Sequence, residues 1–206
     1  MMTCGMDVLW RRRAAALIPS ATRILDIACG TGDFSRALQR RFPTATISGL
    51  DISPKMLEIA RRKLPRLTFA EGDVIAAKWG SPDAIVCAFG FRNFPDKDAT
   101  LAKAAATLPP GGHLLVLELW RRKSGILRHC VSAWLRLFAL IFARSSREEY
   151  DYLRRSINTT LTADEFIARA VAAGLSLVRR IDFFPAATAT LFRLEPQTKQ
   201  GGTPHA

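Results

Sequence analysis

The sequence predicts a doubly wound α/β fold: a mostly parallel seven-stranded sheet with helices on both faces, and a helical lid and insert beside it. Three observations carry this expectation. Short apolar runs of strand length alternate with segments whose apolar residues recur at helical spacing, the pattern of repeated strand–helix units around a parallel sheet. Acidic or glycine-containing turns follow the runs, at residues 30, 51, 73 and 92, where a sheet of this kind gathers its ligand. Two further β-like runs close the chain after an Ala-rich helix and complete the sheet.

Size and composition bound the rest. A chain of 206 residues, 49% hydrophobic and 23% charged, supports one globular domain with a full core, expected over 1–195, and excludes general disorder. The net charge of +12 favours anionic partners such as RNA or an anionic membrane surface. Cys4, Cys29, Cys87 and Cys130 form no Cys-x-x-Cys pair, so no metal site is expected and a reduced, cytoplasmic setting fits. Arg11-Arg12-Arg13 follows the N-terminal apolar residues instead of preceding them, which is the wrong order for a signal peptide.

Taken in order, Asp7 to Leu17 reads as a leading helix within a lid over residues 1–20, with a solvated basic face as the equal alternative. Arg23 to Ile27 is the first strand, and it runs into Ala28-Cys29-Gly30-Thr31-Gly32-Asp33. A helix follows from about Phe34 to Arg41, closed by Pro43; the second strand, Ala45 to Leu50, brings Asp51 to its end. Ser53 and Pro54 suit the start of the next helix, whose stripe is Met56, Leu57, Ala60 and Leu64. Strands at Leu67–Ala70 and Pro82–Ala88 follow, then a loop from Phe89 to Asp96 and a helix through Leu101, Ala105 and Leu108. Pro109 to Gly112 stops that helix before the strand His113–Leu119. Thr162-Ala163-Asp164-Glu165 is a capping box, Gly174 ends its helix, and strands near Leu175–Ile181 and Ala187–Leu194 precede a disordered tail, 196–206.

The turn after the first strand is built for a nucleotide. Ala28, Gly30 and Gly32 let the backbone bend and approach a ligand, and the following helix presents N–H groups to it. Ser35 occupies the place where a dinucleotide fingerprint needs a third small residue, so the NAD reading weakens. Asp51 can accept from both ribose hydroxyls, and Asp26 and Asp33 add charge that repels a pyrophosphate but tolerates an ammonium or sulfonium. These features imply S-adenosylmethionine. Asp73 is either an adenine reader or a turn former.

Ile24 to Asp33 and Asp51 to Leu57 resemble the S-adenosylmethionine-dependent methyltransferases with a Rossmann-like fold. Phe89-Gly90-Phe91-Arg92-Asn93-Phe94-Pro95-Asp96, Leu108 to Glu118 and Tyr150 to Ile157 narrow the resemblance to the ubiquinone/menaquinone biosynthesis C-methyltransferases, over about Met6 to Leu194. Where that family carries a longer lid with a His, only Gly5, Asp7 and Trp10 echo it, and Asp7 stands in the His position. The resemblance implies methyl transfer to a ring carbon of a prenylated quinol, either a demethylmenaquinol or a methoxy-polyprenyl-benzoquinol. It implies that Gly30, Thr31 and Gly32 meet the methionine portion and Asp51 the ribose, and that Asp73 and Val74 hold the adenine; Asp26 and Ile52 complete the cofactor set. Arg92 and Asn93 face the quinol ring as catalytic residues, Arg92 stabilising a developing phenolate because a guanidinium stays protonated and is a poor base. The alternative for Arg92 is a surface arginine beside Asp96. Asp7, Tyr150 and Asp151 are candidates for the proton acceptor.

A quinol tail lives in a bilayer, and Ile126 to Ala143, rich in Leu, Phe, Ile and Trp134 and flanked by basic residues, suits an interfacial helix or lid within an insert over 121–158. An ordinary core helix is the alternative, and the uninterrupted apolar part is too short to span a membrane. The expected partners are therefore a prenylated quinol and the anionic inner face of a membrane, with no nucleic acid and a homodimer as the assembly to test. Two rivals stand: a methyltransferase acting on RNA or another small molecule, disfavoured because Ala88-Phe89-Gly90-Phe91 replaces the Asn/Asp-Pro-Pro-aromatic loop of adenine amino methylation, and a non-catalytic cofactor-binding partner in a quinone-biosynthesis complex.

Overall fold

The computed structural model describes residues 6–121, 156–157, 159–183 and 189–197. Its strands are β1 (Arg23–Ile27), β2 (Thr46–Asp51), β3 (Thr68–Glu71), β4 (Ala84–Ala88), β5 (His113–Leu119), β6 (Leu175–Phe183) and β7 (Ala189–Pro196). Its helices are α1 (Met6–Ala16), α2 (Asp33–Arg41), α3 (Pro54–Lys63), α4 (Lys97–Thr107) and α5 (Ala163–Ala172), with a 3-10 turn at Phe91–Asn93. The strands form one seven-stranded sheet in the order β3-β2-β1-β4-β5-β7-β6. The first five run parallel to their neighbours, and β7 is antiparallel to both β5 and β6.

The alternation of apolar residues decides the layers. In β5, Leu114 and Val116 join Leu101 and Ala104 of α4 and Phe166 and Ala170 of α5 on one face, while Leu115 and Leu117 join Trp10 and Ala14 of α1 and Phe34 and Leu38 of α2 on the other. A strand buried on both faces reads as a continuous apolar run, as His113–Leu119 does. The outermost β6 carries Arg179 and Arg180 and is exposed along most of its length, which blunts an edge that would otherwise recruit another strand.

Local signals set the helix starts. Ser53 accepts from the Met56 N–H at 3.4 Å, Asp96 accepts from Ala99 at 2.8 Å, and Thr162 with Glu165 forms the reciprocal capping box. By contrast α2 starts at Gly32 with no side-chain cap. The expected lid helix is α1, whose Trp10, Ala14 and Ala15 are buried in the core. Among the described residues no helix is long and apolar enough to cross a membrane, and no cluster of His, Cys, Asp and Glu is arranged to hold a metal. Cys4 and Cys130, the expected interfacial helix at Ile126 to Ala143, the Tyr150 and Asp151 candidates and the tail beyond 197 lie outside the described residues.

Strand order reverses between β1 and β4: β1 leads outward to β2 and β3, and β4 to β5 on the other side. The crevice that a doubly wound sheet opens for ligand lies between the loops leaving these two strands.

Candidate functional site

The chain leaves β1 through three residues with positive φ: Ala28 at 52°, Gly30 at 54° and Gly32 at 76°. For Ala28 this is strained backbone, of a kind that persists where a site over-determines it. A Cβ built on Gly30 would meet nothing within 4 Å, so the positive φ explains the glycine and the turn borders open space. The Gly30 N–H donates to Asp51 Oδ2 at 2.7 Å, and the Ser53 N–H donates to Asp51 Oδ1 at 2.9 Å. One carboxylate thus ties the loops after β1 and β2 together, and each oxygen keeps a further lone pair for a hydroxyl. Next to it Ile52 is 69% exposed, an apolar side chain with no covering neighbour at the mouth of the crevice. Thr31 turns its hydroxyl to Asp33 Oδ2 at 2.9 Å.

Asp26 lies beneath this turn, 1% exposed. The Ser35 hydroxyl donates to its Oδ2 at 2.6 Å, while Oδ1 is buried without a hydrogen-bond partner. Burial pushes the Asp26 carboxyl up to about 7, against the opposing pull of the Ser35 hydrogen bond and the Arg11 charge. Ser35, the residue that breaks the dinucleotide pattern, therefore has a definite task. An orphaned buried carboxylate oxygen costs stability unless a donor completes it.

On the adenine side, Asp73 Oδ1 accepts from the N–H groups of Ile75 and Ala76 at 2.8 and 3.0 Å, so the turn-forming alternative is realised in this geometry. Val74 is buried, and its carbonyl accepts from Trp79 Nε1 at 3.0 Å. Lys103 of α4 holds the same loop: its ammonium donates to the carbonyls of Val74, Ile75 and Ala77 at 3.1, 2.6 and 2.6 Å and lies 4.8 Å from the Trp79 ring centroid.

The fourth-strand loop faces this turn. Phe89 has φ 61°, a second strained non-glycine residue, and a Cβ on Gly90 would fall 2.5 Å from Ala28 Cβ, so only glycine lets the two loops touch. Arg92 is not the surface arginine of the alternative reading, because Asp96 caps α4 instead. Its side chain is 9% exposed and pairs with the fully buried Glu118 of β5, Nη1 to Oε1 at 2.6 Å. Nη1 also donates to the Phe89 carbonyl at 2.7 Å, Nε to Ser156 Oγ at 3.2 Å, and the Arg92 backbone N–H to Glu118 Oε2 at 3.0 Å. The Nη2 edge of the fork carries no such bond among the described residues and remains for a ligand oxygen. Asn93 is exposed on the same 3-10 turn.

The expected residues thus gather into two groups on either side of the crevice: Asp26, Gly30, Thr31, Gly32, Asp51 and Ile52, with Asp73 and Val74 beyond them, and Arg92 with Asn93 opposite. Glu118, Ser35 and Lys103 were missed from sequence. The unpartnered Asp26 Oδ1, the open space at Gly30 and the exposed Ile52 fit S-adenosylmethionine, which carries an ammonium, a small methionine arm and an apolar base.

Comparison with known proteins bears on the family and the fold. The profile of the ubiE/COQ5 methyltransferase family matches residues 1–192. A demethylmenaquinone methyltransferase of Deinococcus radiodurans is 43% identical over 134 residues, covering 61% of this chain and 56% of that protein. One of Thermotoga maritima is 37% identical over 176 residues, covering 81% of this chain and 76% of its own. The chain thus spans little more than half of the Deinococcus relative's length. Among solved structures, the plantazolicin methyltransferase BpumL superposes with a TM-score of 0.70 at 15% identity, over 94% of this chain and 83% of that one, a likeness of fold.

Proposed function

This chain belongs to the ubiE/COQ5 methyltransferase family, and on that premise we propose that it moves a methyl group from S-adenosylmethionine to a ring carbon of a prenylated quinol in menaquinone or ubiquinone biosynthesis. The observation that carries the reading is the Arg92 guanidinium held by the buried Glu118 in the loop after β4, whose Gly90 packs against Ala28 at the head of the Gly30 turn. Relatives named demethylmenaquinone methyltransferase favour a demethylmenaquinol over a benzoquinol.

When bound, S-adenosylmethionine supplies an electrophilic methyl on a sulfonium. Asp26 would hold the methionine ammonium through Oδ1, the Gly30 turn the methionine arm, Asp51 the ribose, and Ile52 with the 73–74 backbone the adenine. On the acceptor side a phenolic proton leaves to water and negative charge spreads to the ortho ring carbon, which takes the methyl as the methyl–sulfur bond breaks and then gives up its own proton to water as the ring regains aromaticity. Arg92 stays protonated, so its part is to stabilise the phenolate oxygen through Nη2 while Glu118 and the Phe89 carbonyl fix the fork. Asn93, on the same turn, orients that oxygen directly or through water. Holding both reactants at one edge of the sheet converts an encounter into an aligned transfer.

Contact of the expected insert with an anionic membrane surface, and a homodimeric assembly, belong to the same proposal. Quinone profiling by mass spectrometry in a strain lacking the protein tests it: accumulation of a demethylated quinone is expected, and an unchanged quinone pool would overturn it.

A further inference from the structure

α1 and α2 pack side by side, and a shallow groove runs between them. Its walls are Val8, Arg11 and Arg12 from α1 and Asp33, Arg36, Ala37 and Arg40 from α2. The spacing puts each set on one helix face, at i, i+3 and i+4 and again at i+7 in α2. Four arginines therefore border one groove, with Asp33 in its wall and Asp7 beside Arg11 as the carboxylates.

The four are not equivalent. Arg11 is fixed, bonded to Asp7 and lying 5.1 Å from the Phe89 ring centroid. Arg36 reaches Asp33 only at 3.4 Å, with both side chains partly exposed, a weak pairing. Arg12 and Arg40 are exposed and make no ion pair among the described residues. Arg12 and Arg40, left without a counter-charge beside the paired Arg11 and Arg36, raise the local potential and recruit an anion, and planar guanidinium forks match phosphate oxygens in pairs. The groove is too shallow to enclose more than a water molecule, so a phosphodiester would sit at its rim, on the exposed Arg12 and Arg40, and a prenylated ring finds no room there.

We propose that this groove is a phosphate-binding site that takes the phosphodiester headgroup of an anionic phospholipid and seats α1 against the membrane surface. The arginine pocket stands on its own geometry; the choice of a lipid as the source of the phosphate rests on the quinol reading above. A lipid-seated α1 would set the crevice beside the bilayer, since Trp10 and Arg11 both touch Phe89 at the head of the Arg92 loop.

Flotation of the full chain with vesicles of phosphatidylcholine alone, and of phosphatidylcholine with a quarter phosphatidylglycerol, tests the site. The Arg12→Gln/Arg40→Gln variant is compared with a charge-matched Arg66→Gln/Arg179→Gln control, two exposed arginines outside the groove that make no ion pair among the described residues. Binding to the anionic vesicles is expected to fall roughly thirtyfold in the groove variant, from about fivefold per basic residue at such a surface, and only slightly in the control. Thermal midpoint and S-adenosylmethionine affinity are expected to stay unchanged. Equal losses in both variants would reduce the effect to net charge and overturn the site. Full competition by millimolar inorganic phosphate would make it a free-phosphate site, and loss of random single-stranded RNA binding with vesicle binding intact would make it a nucleic-acid contact; either overturns the lipid assignment. Loss of cofactor affinity alone would give the arginines to the cofactor carboxylate and overturn it as well. Methyl transfer to a short-tailed quinol in detergent, measured alongside, separates failure of this site from failure of the quinol reading.

Discussion

Replacing Asp26 by Asn tests the buried carboxyl directly. Burial raises this group from 3.8 to about 7 in the folded chain. Between those values the unfolded chain has lost the proton and the folded chain has kept it, so folding binds a proton and stability falls as pH rises. The contribution is fully present below pH 3.8, is lost progressively up to about pH 7, and changes no further above it. At about 1.4 kcal/mol per pH unit the whole span is roughly 4 kcal/mol, a large part of the about 5–15 kcal/mol that hold a domain together. Asn cannot ionise, and all other titrating groups cancel in the difference between the two proteins. Urea unfolding at pH 4, 6 and 8 is therefore expected to show the Asn variant gaining on the wild type by roughly 4 kcal/mol from the lowest pH to the highest. Parallel pH profiles would refute the burial argument. Calorimetric titration of the same variant at pH 8 is expected to show cofactor affinity reduced by about 10- to 100-fold, the worth of a hydrogen bond to a charged group. Unchanged affinity would remove Asp26 from the ammonium site.

Arg92→Ala is expected to lower turnover by about a hundredfold or more at saturating quinol while cofactor affinity holds, read by steady-state kinetics and calorimetry. Because the change also leaves Glu118 buried without its partner, it is expected to cost about 3–5 kcal/mol of stability, and Glu118→Ala a similar amount. The double variant Arg92→Met/Glu118→Leu separates the two effects: its denaturation midpoint is expected to recover in part, since the Arg92 and Leu119 N–H groups still lose their Glu118 acceptor, and its turnover to stay at the Arg92→Ala level. Lys103→Met removes the ammonium from three carbonyls of the 74–77 segment, so KM for the cofactor is expected to rise several-fold with kcat little changed; an unaltered KM would detach that loop from the adenine. Gly90→Ala places a methyl 2.5 Å from Ala28 Cβ and is expected to cost about 1–3 kcal/mol by chemical denaturation, the range for overpacking.

Much of this was legible because the signals are local. Capping at Ser53 and Thr162, the positive-φ glycines after β1, and the carboxylate closing β2 each depend on a few adjacent residues. The missed residues act across the fold. Lys103 looks like any solvated position of an Ala-rich helix until α4 is laid against the loop after Asp73. Glu118 did leave a trace: a lone carboxylate within Leu-Leu-Val-Leu-Glu-Leu, buried on both faces, demands a cation, and Arg92 is the basic residue of the loop leaving the neighbouring strand. Ser35 was read for what it excludes, a third glycine, and not for what it donates. The arginines of α1 and α2 share one groove only once the helices pack side by side.

The most direct measurement incubates the purified chain with trideuteromethyl S-adenosylmethionine and a short-tailed demethylmenaquinol kept reduced, and locates the label by tandem mass spectrometry. The account predicts a trideuteromethyl group on a quinol ring carbon, formed in proportion to enzyme and lost in the Arg92→Met/Glu118→Leu variant. Cofactor bound with no label on any quinol, or label found only on a quinol oxygen, would contradict it.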